Sequence, residues 1–499
     1  MVWLFFFVTL GTASAQLLRT RPVEGIREKP VRHIALTNLT LVPRPGQKLE
    51  RATVILRGEH IEAVGVGIPI PPGATVRNCE GLWLYPAFID PYVEVKTTPS
   101  DSGADEEPVG ASTPEGARHW NAAVTPERDI LERLELSAQE AEKHRSMGFA
   151  LLHVGSSEGI FRGRSALLFA RAGKAPDVVF RSDVTQWVGF RKGRSTAPYP
   201  SSLMGTLALI RQTLSDAHWY RQAWEAYRRN PHQPRPEVNL SLQALADALQ
   251  RRMPFVFETE NERTLLRALR LAQEFALPAL FVGSGREYRR LPSLLPFRPR
   301  MILPLKFPDV PDVATPEKAA DITLEELKHW DAAPQNPFWL DSVGIRFAFT
   351  HHGLAEPKLF FDNLRRALRR GLSPEKALEA LTLIPAEFLG VADVVGTVEP
   401  GKLANLLLCD GELFSEDTEL LSIFVAGEEF PFVPEPSVDA RGGWSLTIAE
   451  VLPPLRLRVE GKRTAPEVSV WMDTVRLPVQ WTQQRAMISF SFATDTLGI

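Results

Sequence analysis

The chain has 499 residues, enough for one large α/β domain with smaller modules beside it. Hydrophobic residues make up 44% and charged ones 23%, which excludes a disordered or fibrous protein. A formal net charge of -3 gives no electrostatic reason to expect a nucleic-acid partner.

The first residues, MVWLFFFVTLGTASAQ, join an apolar core to Ala13-Ser14-Ala15 ahead of Gln16. This predicts a signal peptide over 1–15 and a periplasmic or secreted mature protein, although no Lys or Arg follows Met1. A buried N-terminal strand is the plainer alternative. The run is too short to span a bilayer, and no later stretch reads as a membrane helix. Only Cys79 and Cys409 are present, which excludes a disulfide-stapled scaffold and a cysteine-ligated metal centre.

Residues 31–41, VRHIALTNLTL, alternate apolar and polar side chains and read as a strand. Residues 52–65 read as two more, joined at Arg57-Gly58-Glu59, and a Gly- and Pro-rich break over 65–73 follows. The stretch GLWLYPAFIDPYVEV at 81–95 then places two apolar strands on either side of Pro86. Residues 97–128 are polar and acidic, a long loop. A helix in SAQEAEKHRSMGF is closed by Gly148 ahead of a strand at 149–154, and GIFRGRSALLFA carries another strand after an Arg-Gly turn. The next helix carries Trp219, Tyr220 and Trp224, all assigned to packing.

From residue 241 helices and apolar strands alternate: MPFVFET, ALPALFVGS, RMILPLKFP and GIRFAFTHH are strands with helical segments between them. That rhythm predicts parallel strands joined by crossover helices. In GLSPEKALEALTLIPAEFLGVADVVGTVEPGKLANLLLCD, residues 371–410, Ser373 is a natural N-cap with Pro374 at the first helical position. Residues 441–499 read as a separate all-β module, with Trp471 and Trp481 assigned to packing.

The two stretches at 81–95 and 371–410 carry a resemblance to the metal-dependent amidohydrolase superfamily, in its imidazolonepropionase and dihydroorotase-like branch. Pro86, Phe88, Ile89 and Asp90 resemble the family's first barrel strand. Thr382, Pro385, Ala386, Leu389, Gly390, Gly396, Pro400, Gly401, Lys402 and Ala404 resemble its return from the barrel, with Asn405 where Asp is usual. The resemblance implies an α/β fold, a (β/α)8 TIM-like barrel with a composite β-sandwich domain from both flanking segments. The barrel would span 86–384 and the sandwich 25–85 with 385–435, followed by the small C-terminal all-β module at 441–499. It also brings Cys79 and Cys409 into one domain, where an oxidising compartment permits a disulfide.

Active members of the family hold divalent metal with histidines on strands one, five and six and an Asp on strand eight, and the metal activates water. Here the first-strand positions hold Tyr92 and Glu94, strand five ends in Glu258, and strand six offers Gly283 or Ser284. Strand eight has Thr350 and then His351 in the Asp position. Asp90 remains but precedes the family's histidines and is structural. The expectation is therefore no bound metal and no cofactor. The acids would pair with arginine, Arg162 or Arg346, and His351 would be a polar residue of the rim. A substitute zinc or other divalent site from Glu94, Glu258 and His351 is the alternative. No Gly-x-Ser-x-Gly elbow surrounds Ser201 or Ser284, and GIFRGRSA lacks the lysine and spacing of a phosphate loop.

The leading expectation is an exported amidohydrolase-like protein that has lost metal hydrolysis of cyclic amides and keeps its fold for binding or assembly. Its partner would be a second copy or a catalytic relative, with no nucleic acid and no membrane span. An active hydrolase with a non-standard site and a periplasmic ligand-binding module are the alternatives.

Overall fold

The computed structural model describes residues 32–95, 117–193, 195, 198–432, 441–447, 455–461, 466–472, 475–484 and 487–492. The leader expected at 1–15 lies outside these residues, as does the part of the long polar loop up to residue 116.

Six strands open the described chain: β1 (His33–Leu41), β2 (Leu49–Arg57), β3 (His60–Val66), β4 (Thr75–Asn78), β5 (Trp83–Pro86) and β6 (Phe88–Glu94). Gly58, at φ 60°, turns β2 into β3 where the sequence predicted the joint. Far along the chain, β18 (Leu406–Cys409), β19 (Leu420–Val425) and β20 (Glu428–Pro431) return to the same sheet, and β18 lies antiparallel to β5 with Leu408 opposite Leu84. The composite domain is thus built from both flanks. It is hydrogen-bonded as one 8-stranded sheet, in the order β20-β19-β18-β5-β1-β2-β3 with β4 on β1, and not as the two sheets of a sandwich.

The disulfide that an oxidising compartment would permit is not formed, and both cysteines are free and buried. Cys79 packs in the cluster of Leu36, Val54 and Leu84, whereas Cys409 belongs to the larger core with Phe88 and Phe149. Two thiols committed to different cores cannot meet without moving the sheet.

Between the flanks run β7 (Glu135–Leu136), β8 (Phe149–Gly155), β9 (Phe161–Arg164), β10 (Ala166–Phe169), β11 (Gly173–Lys174), β12 (Val179–Arg181), β13 (Gln186–Val188), β14 (Phe255–Glu258), β15 (Ala279–Val282), β16 (Met301–Pro304) and β17 (Phe347–Thr350). A short ladder joins β7 to β11. From β13 to β17 all neighbours are parallel, as the α/β rhythm predicted, and β6 is parallel to β8. The amphipathic helix Glu262–Glu274 shows how the crossovers form. Asn261 caps it, and Leu265, Ala268, Leu269 and Ala272 recur on one buried face.

Two features depart from an all-parallel closed barrel. The run of β9 and β10, interrupted only at Ser165, is antiparallel both to β8 and to β13. The link 156–160 is too short for a parallel crossover, so the chain turns straight back. Among the described residues no ladder joins β17 to β6 either. Side chains bridge that seam instead: the Thr350 hydroxyl donates to Asp90 at 2.7 Å and approaches the Tyr92 carbonyl at 2.9 Å.

The lumen is identifiable from burial. One cluster takes Ile89, Leu151, Leu167, Trp187, Val256, Leu280, Ile302 and Ala348, a residue from each strand position around the ring. Their neighbours Phe88, Leu152, Phe255, Phe281, Met301 and Phe347 face outward into the other core, against the helices. Ser373 accepts from the Lys376 N–H to cap Pro374–Leu381, as the sequence indicated.

Trp219 does not pack. It is 63% exposed on the helix Leu203–Arg229, while Tyr220 is buried. Beyond the composite sheet lie a 4-stranded antiparallel sheet, β21 (Gly442–Leu446), β22 (Leu455–Gly461), β23 (Pro466–Met472) and β24 (Val475–Leu477), and a hairpin of β25 (Val479–Gln484) and β26 (Met487–Phe492).

Candidate functional site

Period-two alternation decides what reaches the mouth of the ring. On β6 a register shift between Asp90 and Val93 puts both Ile89 and Tyr92 in the lumen cluster, and from Tyr92 the alternation resumes, with Val93 in the outer core and Glu94 at the strand's end. On β14, Val256 lies in the lumen and Glu258 ends the strand two residues later. On β17, Ala348 lies in the lumen and Phe347 and Phe349 outside, so Thr350 and then His352 have the inward parity. One ligand atom each from Glu94, Glu258 and His352 lies within 4.8 Å of the others.

The two acids named from the sequence are therefore together, but the imidazole beside them is His352 and not His351. His351 has the outward parity. Its Nδ1 lies 2.6 Å from the Asp90 carboxylate, and its ring meets the edge of His144 at 4.7 Å.

Arg162 completes the cluster. Because β9 runs antiparallel to its neighbours, its first residues lie at the end of the ring where the parallel strands finish. The Arg162 side chain is 5% exposed. Its Nη2 donates to Glu258 at 2.5 Å, its Nη1 lies 3.8 Å from Glu94, and its Nε donates to the Gly159 carbonyl at 3.1 Å. Burial works to discharge this guanidinium. The Tyr92 oxygen and the Glu258 and Glu94 carboxylates outweigh it and hold the pKa above the ordinary arginine value. Gly189 makes room for it, since a Cβ there would stand 2.3 Å from Nη2.

Tyr92 donates its hydroxyl to Glu94 at 3.0 Å and stacks on Trp187 with centroids 4.2 Å apart. Burial first, then the Glu258 charge, keeps that hydroxyl protonated well above the usual phenol range. Gly155 accommodates the indole, because a Cβ there would meet the Trp187 ring at 2.4 Å. The edge of Tyr92 also touches His352, at 4.9 Å between centroids.

Asp90 is fully buried at the seam. It accepts from the Tyr92 and His351 N–H groups, the Thr350 hydroxyl and the His351 ring. Burial alone would raise its pKa, but the facing His351 and these donors bring the net value below the ordinary one. These contacts tie the end of β17 to β6.

At the strand-six position Gly283 offers no ligand, and the space that a side chain there would take is filled. A Cβ would lie 2.7 Å from the buried Glu287 carboxylate, which Ser284 N–H and Asn336 satisfy at 2.6 and 2.7 Å. Arg346, the other arginine considered as a partner for the acids, pairs instead with Glu387.

Residues 340–437 match the sequence model of the Amidohydrolase family. A solved amidohydrolase from Thermotoga maritima superposes with a TM-score of 0.65 at 20% identity, covering 80% of this chain and 100% of that one. The sequence match covers residues 340–437 alone, and the superposition shows that the chain shares the fold of that amidohydrolase. A putative prolidase from Bifidobacterium longum (TM-score 0.47, 14% identity, 80% of this chain and 95% of that one) and molinate hydrolase (0.43, 13%, 80% and 95%) are further matches. No curated protein sequence matches the chain.

Amidohydrolases usually hold divalent metal at the mouth of the barrel, which makes the donor set here the test. Glu94, Glu258 and His352 converge closely enough to share an ion. The guanidinium stands in their midst, however. A metal bound to Glu258 at about 2.1 Å would lie against a fixed positive charge that cannot lose its proton. The residues present do not fit a divalent metal while Arg162 is in place.

Proposed function

We propose that this is an exported amidohydrolase-superfamily protein whose barrel mouth no longer carries out metal-dependent hydrolysis and serves in binding or assembly. The observation that carries this reading is the Arg162 guanidinium between Glu94 and Glu258, the place where an active member concentrates its metal charge. Tyr92 and Gly283, at positions where the family places histidine, reinforce it: a protonated phenol and a glycine cannot replace two imidazoles. The ring of strands around the mouth is read as a degenerate (β/α)8 barrel with one reversed strand. Export rests on the apolar leader and Ala13-Ser14-Ala15. No helix of the described residues is long and apolar enough to cross a membrane.

The mouth remains suited to a polar ligand. Arg162 also borders a cavity of about 260 Å³ lined by Arg118, Glu127, Arg128, Glu158 and Lys192, a mixture of both charges. Self-association, or association with a relative that has kept the histidines, would be the assembly role.

Turnover of dihydropyrimidine, hydantoin and dipeptide substrates, with zinc, manganese and cobalt supplied in turn, tests the loss of catalysis. No metal-dependent hydrolysis is expected. A second reading, a hydrolase with an ion held by Glu94, Glu258 and His352, is favoured by the convergence of those three donors. Turnover abolished by Glu258→Gln would establish it in place of the first. Light scattering of the mature protein and capture from native extract test assembly, and a strict monomer that captures no relative would reject it.

A further inference from the structure

Arg162 meets four neighbours of the mouth at once: Glu258, Glu94, the Tyr92 hydroxyl and the Gly159 carbonyl. Two carboxylates, each with its side chain 28% exposed, and one imidazole face a single fixed cation. Without that cation the same three side chains form a two-carboxylate, one-imidazole donor set for a first-row divalent ion.

We propose that Arg162 is a built-in replacement for a divalent ion, and that its removal uncovers a metal site made by Glu94, Glu258 and His352. The inference rests on the metal-free reading of the mouth and extends it, since it assigns the cause of metal exclusion to one side chain. Three details favour substitution over chance pairing. The guanidinium is buried and anchored through Nε, so it does not swing away to admit an ion. Gly189 leaves the space that its Nη2 fills. The short return at 156–160 brings β9 in reversed, and this places Arg162 at the mouth. The exchange also preserves the electrostatic task, because a cation between two carboxylates relieves their mutual repulsion whether it is covalently attached or bound from solution.

The test is Co2+ binding to the full mature chain by equilibrium dialysis, with visible cobalt absorption as a direct report of the ligand shell. Wild type is compared with Arg162→Met and with Arg162→Met combined with Glu258→Gln. Arg162→Met should bind one Co2+ per chain at least about tenfold more tightly than wild type, and the double variant should lose it. Equal, stoichiometric binding by wild type would overturn the metal-free reading itself. A folded Arg162→Met that binds no more Co2+ than a metal-free wild type would overturn this inference and leave that reading standing. If Arg162→Met folds only when Co2+ is present, the exchange is demonstrated through stability. If it folds in neither condition, the ion cannot do the guanidinium's work and the proposal fails.

Discussion

Arg162 is positioned as much by what its neighbours lack as by what they offer. Gly189 lies in the path of its Nη2 and Gly155 in that of the Trp187 ring, and neither glycine is explained by a positive φ. Gly189→Ala should therefore push the guanidinium off Glu258 and destabilise the fold by about 1–3 kcal/mol, read from urea denaturation. A change within experimental error would mean that Arg162 has slack at this point. Glu94 and Glu258 were legible in the sequence because each stands where a family ligand is expected. His352 was not, because alignment to the family assigns the residue after Thr350 to the site. The alternation running inward from Ala348 selects the residue after that. Arg162 was visible only as a partner for the acids. Its central place depends on strand direction, which apolar alternation does not encode.

Strand direction and the open seam belong to the scale of elements. Apolar alternation is the same in parallel and antiparallel strands, so GIFRGRSALLFA announced a strand without saying which way it ran. Only the short link at 156–160 carried that information. The helices were more legible, because Ser373-Pro374 and the Leu265–Ala272 face carry their own signals. Between β17 and β6 the Asp90 carboxylate does the joining that a ladder would do elsewhere, accepting from Tyr92, Thr350 and His351. Asp90→Asn removes the charge facing His351 and forces an amide N–H toward some of these donors. It should cost about 2–4 kcal/mol, measured by chemical denaturation. An unchanged midpoint would show that the seam is held by packing alone.

For the molecule as a whole, buried imidazoles set the response to acid. Burial first, then the neighbouring His351, lowers His144 to about 3, and burial lowers His153 to about 4 despite the nearby Pro91 carbonyl and Asp90. In the unfolded chain both return to the ordinary histidine value of about 6.5. The unfolded state therefore takes up protons first. The stability these neutral rings contribute is full above that value and falls as pH drops toward the folded ones. Two such groups should give a slope approaching about 2.7 kcal/mol per pH unit near pH 5. The depressed Asp90 adds a loss at lower pH, beginning below the ordinary Asp value. Denaturation midpoints that stay flat from pH 7 to 4.5 would contradict the burial of these rings as neutral groups. At this scale the composite domain was legible from the two family-like stretches. Its single continuous sheet and its separated cysteines were not, because the resemblance brings the two flanks into one domain without saying which face each side chain takes.

That Arg162, and no bound ion, supplies the positive charge at the mouth is tested most directly by counting metal. The wild-type protein would be equilibrated with zinc, manganese and cobalt, dialysed against metal-free buffer and analysed for its elements. A guanidinium-filled mouth predicts far less than one divalent ion per chain, with no difference between wild type and Glu258→Ala. One ion per chain in wild type, lost in Glu258→Ala, would contradict it and make Glu94, Glu258 and His352 a working metal centre.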